Sequence, residues 1–133
     1  MIIGTGIDLI DIRRIETLLE KHGARFKERY FTMAEVQLVE ERAASGRDIL
    51  TLAKRFAAKE ACAKALGTGF IDGLKMQEIE VCLDKKGKPY LCLNGKAQDL
   101  AQNLTPKGMK TILHLSLTDE PPYAQAQVII EAV

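Results

Sequence analysis

Tryptophan is absent from this 133-residue chain, and aromatic residues make up only 5% of it. So few aromatics provide no stacking platform for single-stranded nucleic acid. Neither sign of charge dominates, since 19 Lys and Arg stand against 18 Asp and Glu. That balance supplies no field to draw in nucleic acid or an anionic membrane, and neither is expected as a partner. The three cysteines, Cys62, Cys82 and Cys92, are an odd number without CxxC spacing. They argue against disulfides or a zinc site and for reduced, buried thiols in the cytoplasm. No apolar run is long enough to span a membrane. The start, Met1-Ile2-Ile3-Gly4, lacks a basic region, and Asp8 interrupts its apolar run, so no signal peptide is expected. What remains is a soluble globular chain, long enough for one domain over 1–133 with its own core.

Residues 2–10 alternate as a strand does, with Ile3, Thr5, Ile7 and Leu9 on one side and Ile2, Gly4, Gly6, Asp8 and Ile10 on the other. Asp11 caps a helix that carries Ile12, Ile15, Leu18 and Leu19 inward and stops at Gly23. Arg25, Lys27 and Arg29 follow, interleaved with Phe26, Tyr30 and Phe31. Thr32 and Glu35 make a capping-box signature for a helix running to about Ala44. After Ser45-Gly46-Arg47 comes a longer helix from about Asp48, rich in Ala, which Gly67 ends through its tolerance of left-handed backbone. Beyond it the texture turns to strands: 76–83, a Lys-rich hairpin turn at 84–89, and 90–93. A short helix capped at Asn94 or Gly95 is expected to turn Ala97, Leu100, Ala101 and Leu104 inward. Residues 110–118 alternate again, with His114, Ser116 and Thr118 on one face, and 123–133 form a final strand. The expected class is α+β with a mainly antiparallel sheet.

Chemistry-bearing residues gather on the long helix. Phe56, Glu60 and Lys64 lie at spacings of four and share a face, and Ala57, Ala61 and Ala63 leave room around Glu60. A carboxylate and an ammonium on a small-residue helix suit a metal and a phosphate, although an ordinary surface ion pair has the same spacing. Asp8 is open to two readings as well, as a turn residue or as a ligand flanked by glycines that admit a backbone or a substrate. His114 stands alone on its strand, where a structural role is the usual one. Gly67-Thr68-Gly69 is not a Walker loop, because it follows a helix and has no Gly-Lys-Ser/Thr ending. The basic strip interleaved with aromatics suits an acidic partner, or simply a solvated face.

Gly6-Ile7-Asp8-Leu9, Arg55-Phe56-Ala57-Ala58-Lys59-Glu60-Ala61, Lys64 and Gly67-Thr68-Gly69 together resemble the holo-acyl-carrier-protein synthase family, the short bacterial 4′-phosphopantetheinyl transferases. The resemblance continues through Phe31-Thr32, Gly87-Lys88-Pro89, the His114–Thr118 strand and the Ala124-to-Glu131 end, and so covers nearly the whole chain. It departs at Asp119, where many members have His. The resemblance implies that family's fold, an antiparallel sheet wrapped around a long central helix. It also implies Mg²⁺-dependent transfer of 4′-phosphopantetheine from coenzyme A to a serine of apo-acyl carrier protein, in fatty acid biosynthesis. Asp8 and Glu60 would be the metal ligands, with Glu60 and Lys64 catalytic. Arg47, Lys64, Gly67, Thr68, Pro89, His114, Ser116 and Thr118 would meet the nucleotide, and Arg14, Arg25 and Phe26 the carrier. The family further implies a homotrimer with active sites between subunits. Two other classes stay open beside this one: a non-catalytic module that docks an acidic protein, and a Mg²⁺-dependent nucleotide hydrolase.

Overall fold

Alternation near the N-terminus produces β1 (Ile2–Asp11), followed by the helices α1 (Ile12–His22), α2 (Ala24–Tyr30), α3 (Met33–Ala43) and α4 (Asp48–Ala65). A 3₁₀ turn at Met76–Glu78 then leads into β2 (Ile79–Leu83), β3 (Pro89–Leu93), α5 (Gly95–Leu104), β4 (Thr111–Glu120) and β5 (Tyr123–Ala132). This computed structural model describes residues 1–70 and 73–133. The strands divide into two antiparallel sheets, a three-stranded one in the order β1-β5-β4 and the β2-β3 hairpin.

The helix boundaries follow the local chemistry. Asp11 accepts from the N–H of Arg13 at the start of α1, and Gly23 closes it with φ 51°. At α3 the capping box is complete: the Thr32 hydroxyl accepts from Glu35 N–H, and the Glu35 carboxylate accepts from Thr32 N–H. Two expectations need correction. Residues 76–78 wind into a 3₁₀ turn, closed by Glu78 N–H on the Lys75 carbonyl and Ile79 N–H on the Met76 carbonyl, and a lysine from α4 also donates to the Met76 and Ile79 carbonyls. Leu104 ends α5 exposed, and only Ala97 and Ala101 of that helix are buried.

The inner face of the three-stranded sheet covers α4. Register pairs Gly6 with Val128 and Asp8 with Ala126, and pairs Leu115 and Leu117 with the same two β5 residues. Even positions of β1 and β5 and odd positions of β4 therefore share this face. Gly4 and Gly6 let β1 lie directly on the helix. A Cβ at Gly6 would stand 1.9 Å from the Ala61 carbonyl oxygen, and one at Gly4 2.2 Å from that of Ala65. The glycines of β1 and the alanines of α4 are thus two sides of one contact. Phe26, Phe31 and Phe56 join the core at the other side of α4.

Candidate active site

The strand–helix contact places Asp8, Glu60 and Lys64 together. Lys64 Nζ donates to Asp8 Oδ1 at 3.0 Å and to the Ile7 carbonyl at 2.9 Å. Glu60 is half-buried beside them, and its carboxyl is pushed above the usual range, first by desolvation and then by the charge of Asp8. Lys64 and Arg14 pull in the opposite direction. Two carboxylates close enough to disfavour each other, with an ammonium already seated on one, form a site waiting for positive charge. Lys64 is followed at once by the end of α4, where Gly67 has φ 86° and Thr68 donates to the Gly69 carbonyl.

Glu60 also faces a cleft of about 530 Å³ lined by Arg29, Tyr30, Phe70, Leu74, Lys75, Met76 and Gln77. A second groove, of about 480 Å³, is lined by Leu18, His22, Arg25, Phe26, Arg29 and Tyr30. The two share Arg29 and Tyr30, so the basic-aromatic strip runs up to the carboxylate. Arg25 is exposed along this strip, and Arg14 is exposed with its guanidinium 5.9 Å from the Phe56 ring. Phe26 does not project. It is 3% exposed and packs against Tyr30, Phe31 and Phe56, so it contributes the floor of the groove.

The other expected site residues lie elsewhere. His114, Ser116 and Thr118 are exposed on the outer face of β4, the face of the sheet opposite to Asp8. His114 Nε2 pairs with Glu131 Oε2 at 2.8 Å. Arg47 precedes α4 in a polar cleft with Arg42, Ser45, Leu50, Thr51 and Lys54, and Pro89 opens β3. Asp119 is held by Lys54 at 2.9 Å, so it serves an ion pair between β4 and α4.

Sequence reasoning missed two cations. Lys59 is fully buried and donates to Glu35 Oε1 at 2.6 Å, to Met76 O at 3.0 Å and to Ile79 O at 2.6 Å. Glu35 Oε2 accepts from Val81 N–H at 3.2 Å. The pair therefore satisfies polar groups on the edge of β2 that no strand reaches. Burial lowers the Lys59 pKa while Glu35 opposes the shift. Arg55, one turn earlier, is 2% exposed, and its Nε and one Nη have no partner among the described residues. Burial and the neighbouring Arg42 push its pKa down. Spacing offered the missing signal, because Thr51, Arg55 and Lys59 recur every four residues and form a second polar stripe beside that of Glu60 and Lys64.

An α+β core thus brings Asp8 from β1 against Glu60 and Lys64 from a buried helix, with Glu60 at the wall of a cleft, an arrangement suited to a transferase acting on phosphate groups. Residues 4–124 match the sequence profile of the 4′-phosphopantetheinyl transferase superfamily, and the chain belongs to that family. It is 54% identical to the holo-[acyl-carrier-protein] synthase of Granulibacter bethesdensis, over all of this chain and 91% of that protein. Against that of Methylorubrum extorquens the identity is 53%, over all of this chain and 96% of that protein. The fold is similar to the crystal structure of the Neisseria meningitidis synthase, with TM-score 0.82 and 35% identity over 98% of this chain and 99% of that one. A Bacillus anthracis synthase in complex with CoA (3′,5′-ADP) gives TM-score 0.79 at 37% identity, over 100% of this chain and 99% of that one.

Proposed function

We propose that this chain is, over 1–133, a single catalytic domain that transfers 4′-phosphopantetheine from coenzyme A to a serine of apo-acyl carrier protein, in the cytoplasm and in service of fatty acid biosynthesis. The observation that carries the reading is the meeting of Asp8, Glu60 and Lys64 in a chain 54% identical to a holo-[acyl-carrier-protein] synthase. The serine oxygen forms a bond to the β-phosphorus of coenzyme A as the bond to the departing oxygen breaks, releasing adenosine 3′,5′-bisphosphate. Glu60 accepts the serine proton, directly or through a bound water, and its carboxyl is held above the usual range by burial and by Asp8. Lys64 leaves Asp8 and places its ammonium on the phosphates. Transfer of this kind needs mainly positioning and charge stabilisation, so few groups suffice.

Asp8 and Glu60 are the protein's share of a Mg²⁺ site. Among the described residues no group of three or more His, Cys, Asp or Glu forms a metal cluster. Mg²⁺ typically takes one or two carboxylates and draws its other ligands from substrate phosphate and water, which fits this pair. When bound, it supplies charge neutralisation on the pyrophosphate. Arg14, Arg25 and the groove floored by Phe26 receive the acidic carrier.

The nucleotide is held by Arg47, Gly67, Thr68, Pro89, His114, Ser116 and Thr118 from two copies of a homotrimer. Two features support a shared site. His114, Ser116 and Thr118 face away from Asp8 within one chain. The same outer face leaves Ile7 53%, Leu9 62% and Tyr123 46% exposed beside the polar strip of β4, a mixed surface suited to a neighbour.

Incubating the protein with coenzyme A, Mg²⁺ and apo-carrier separates the readings by mass spectrometry. A carrier heavier by phosphopantetheine supports transfer; coenzyme A hydrolysed with the carrier unchanged supports a hydrolase; neither supports a docking module. For the shared site, an inactive Glu60→Gln chain is mixed with an inactive His114→Ala/Ser116→Ala chain. Recovered activity in the mixture is expected, and none in demonstrably mixed oligomers refutes it.

A further inference from the structure

Helix α2 has seven residues and leaves its last carbonyls without partners of its own. Two of them are satisfied from outside. Gln77 Nε2 donates to the Glu28 carbonyl at 2.8 Å and also to the Arg29 carbonyl. Both partners are acceptors, so the amide must present its NH₂ to them, one hydrogen to each. Gln77 sits in the 3₁₀ turn, whose neighbouring Met76 carbonyl is held by Lys59 at 3.0 Å. Lys59 precedes Glu60 on α4. A continuous chain of hydrogen bonds therefore runs from the catalytic helix, through the turn, to the end of the helix that carries Arg25, Phe26, Arg29 and Tyr30. The two grooves meet at Arg29 and Tyr30, where Gln77 grips the backbone.

We propose that Gln77 is a positioning residue that sets the docking helix α2 at a fixed distance and angle from Glu60. The inference rests on the reading of α2 as a carrier-docking surface. Its consequence is specific to one substrate. None of the residues read above as holding the nucleotide lies on α2, whereas the carrier must touch α2 and reach Glu60 at the same time. Loss of the Gln77 donors loosens that spacing and weakens carrier engagement, leaving the reacting groups themselves in place.

The test uses the full-length protein with Gln77→Met, which keeps length and neutrality and removes both donors, and with Gln77→Ala as a second variant. Steady-state transfer is measured separately against each substrate, and amide hydrogen exchange is followed along the chain. Expected is a rise of about tenfold in KM for the apo-carrier, several-fold larger than any change in KM for coenzyme A, because Gln77 also borders the Glu60 cleft. Exchange at the α2 amides should rise about tenfold, with α4 unchanged. An unaltered carrier KM, or an equal rise for both substrates, overturns the proposal. Unchanged exchange in α2 does so too. If the parent protein transfers nothing, the transfer reading fails on its own, and exchange alone then decides whether Gln77 holds α2.

Discussion

Replacing Gly6 by Ala tests the link between fold and site more sharply than removing a catalytic group. The new Cβ would lie 1.9 Å from the Ala61 carbonyl oxygen and 2.8 Å from Ala65 N, where ordinary contact begins at 3.4 Å. Both neighbours are helix backbone and cannot rotate aside. β1 must therefore retreat from α4 by about 1.5 Å. It cannot do so at one residue, because β5 pairs with it from Ile2 to Asp11. Asp8, two residues along on the same face, moves with it.

Overpacking of this sort costs about 1–3 kcal/mol, and a misplacement of about 1 Å at a reacting centre costs about 100-fold in rate. Urea unfolding followed by circular dichroism should show a lower midpoint with an unchanged slope. Transfer followed by carrier mass should show kcat reduced about 100-fold. Gly4→Ala, whose Cβ would stand 2.2 Å from Ala65 O, should lose comparable stability but less turnover, since it lies further from Asp8. A Gly6→Ala protein with the parent's urea midpoint and turnover would refute the claim that the glycines exist to seat β1 on the helix.

Glu60→Gln should abolish transfer yet raise the Tm of the metal-free protein at pH 7. The raised carboxyl makes folding less favourable as pH climbs through its folded-state value, so the advantage of Gln should vanish below the ordinary carboxylate range; a variant less stable at pH 7 contradicts this. Lys59→Met strands Glu35 as a buried unpaired charge and should cost about 3–5 kcal/mol by urea unfolding, a loss under about 1 kcal/mol being the contrary result. Cys62 is fully buried and burial pushes its thiol up to about 12, so iodoacetamide at pH 8 should label it after the half-buried Cys82 and Cys92, as read by peptide mass. Early labelling of Cys62 would show that α4 opens far more readily than its packing implies.

Periodicity and capping chemistry made much of this fold legible. The two faces of β1, the Asp11 and Thr32 starts, the Gly23 stop and the extent of α4 all follow from residues within one turn of where they act. So does the polar face of β4. Division of the strands into two sheets was not legible, because pairing partners are chosen by tertiary contact. Cys82 and Cys92 illustrate the limit: they are free, as expected, but half-buried on the hairpin with sulfurs 3.5 Å apart. The buried cations were hidden for a related reason. Glu35 explains itself locally as a capping residue, and nothing in the sequence says that the same carboxylate also reaches Lys59 and Val81. Phe26 reads as one member of an exposed strip, and only the aromatic cluster around α4 turns its ring inward.

The depth of α4 accounts for both the precision and the vulnerability of the site. Of its eighteen residues, Lys54 and Glu60 are half-buried and Lys64 is exposed, while the run from Thr51 to Ala53 and most of the turns after it are buried. A helix enclosed this way has little freedom to bend, so the Glu60 and Lys64 side chains are projected from a rigid backbone against Asp8 on a rigid strand. Rigidity of this kind favours a reaction whose catalysis lies in placement and charge. It also requires that the charged residues facing inward be matched. Lys59 is matched by Glu35 and two carbonyls, whereas two donors of Arg55 find no partner among the described residues. An unpaired buried guanidinium is a standing cost.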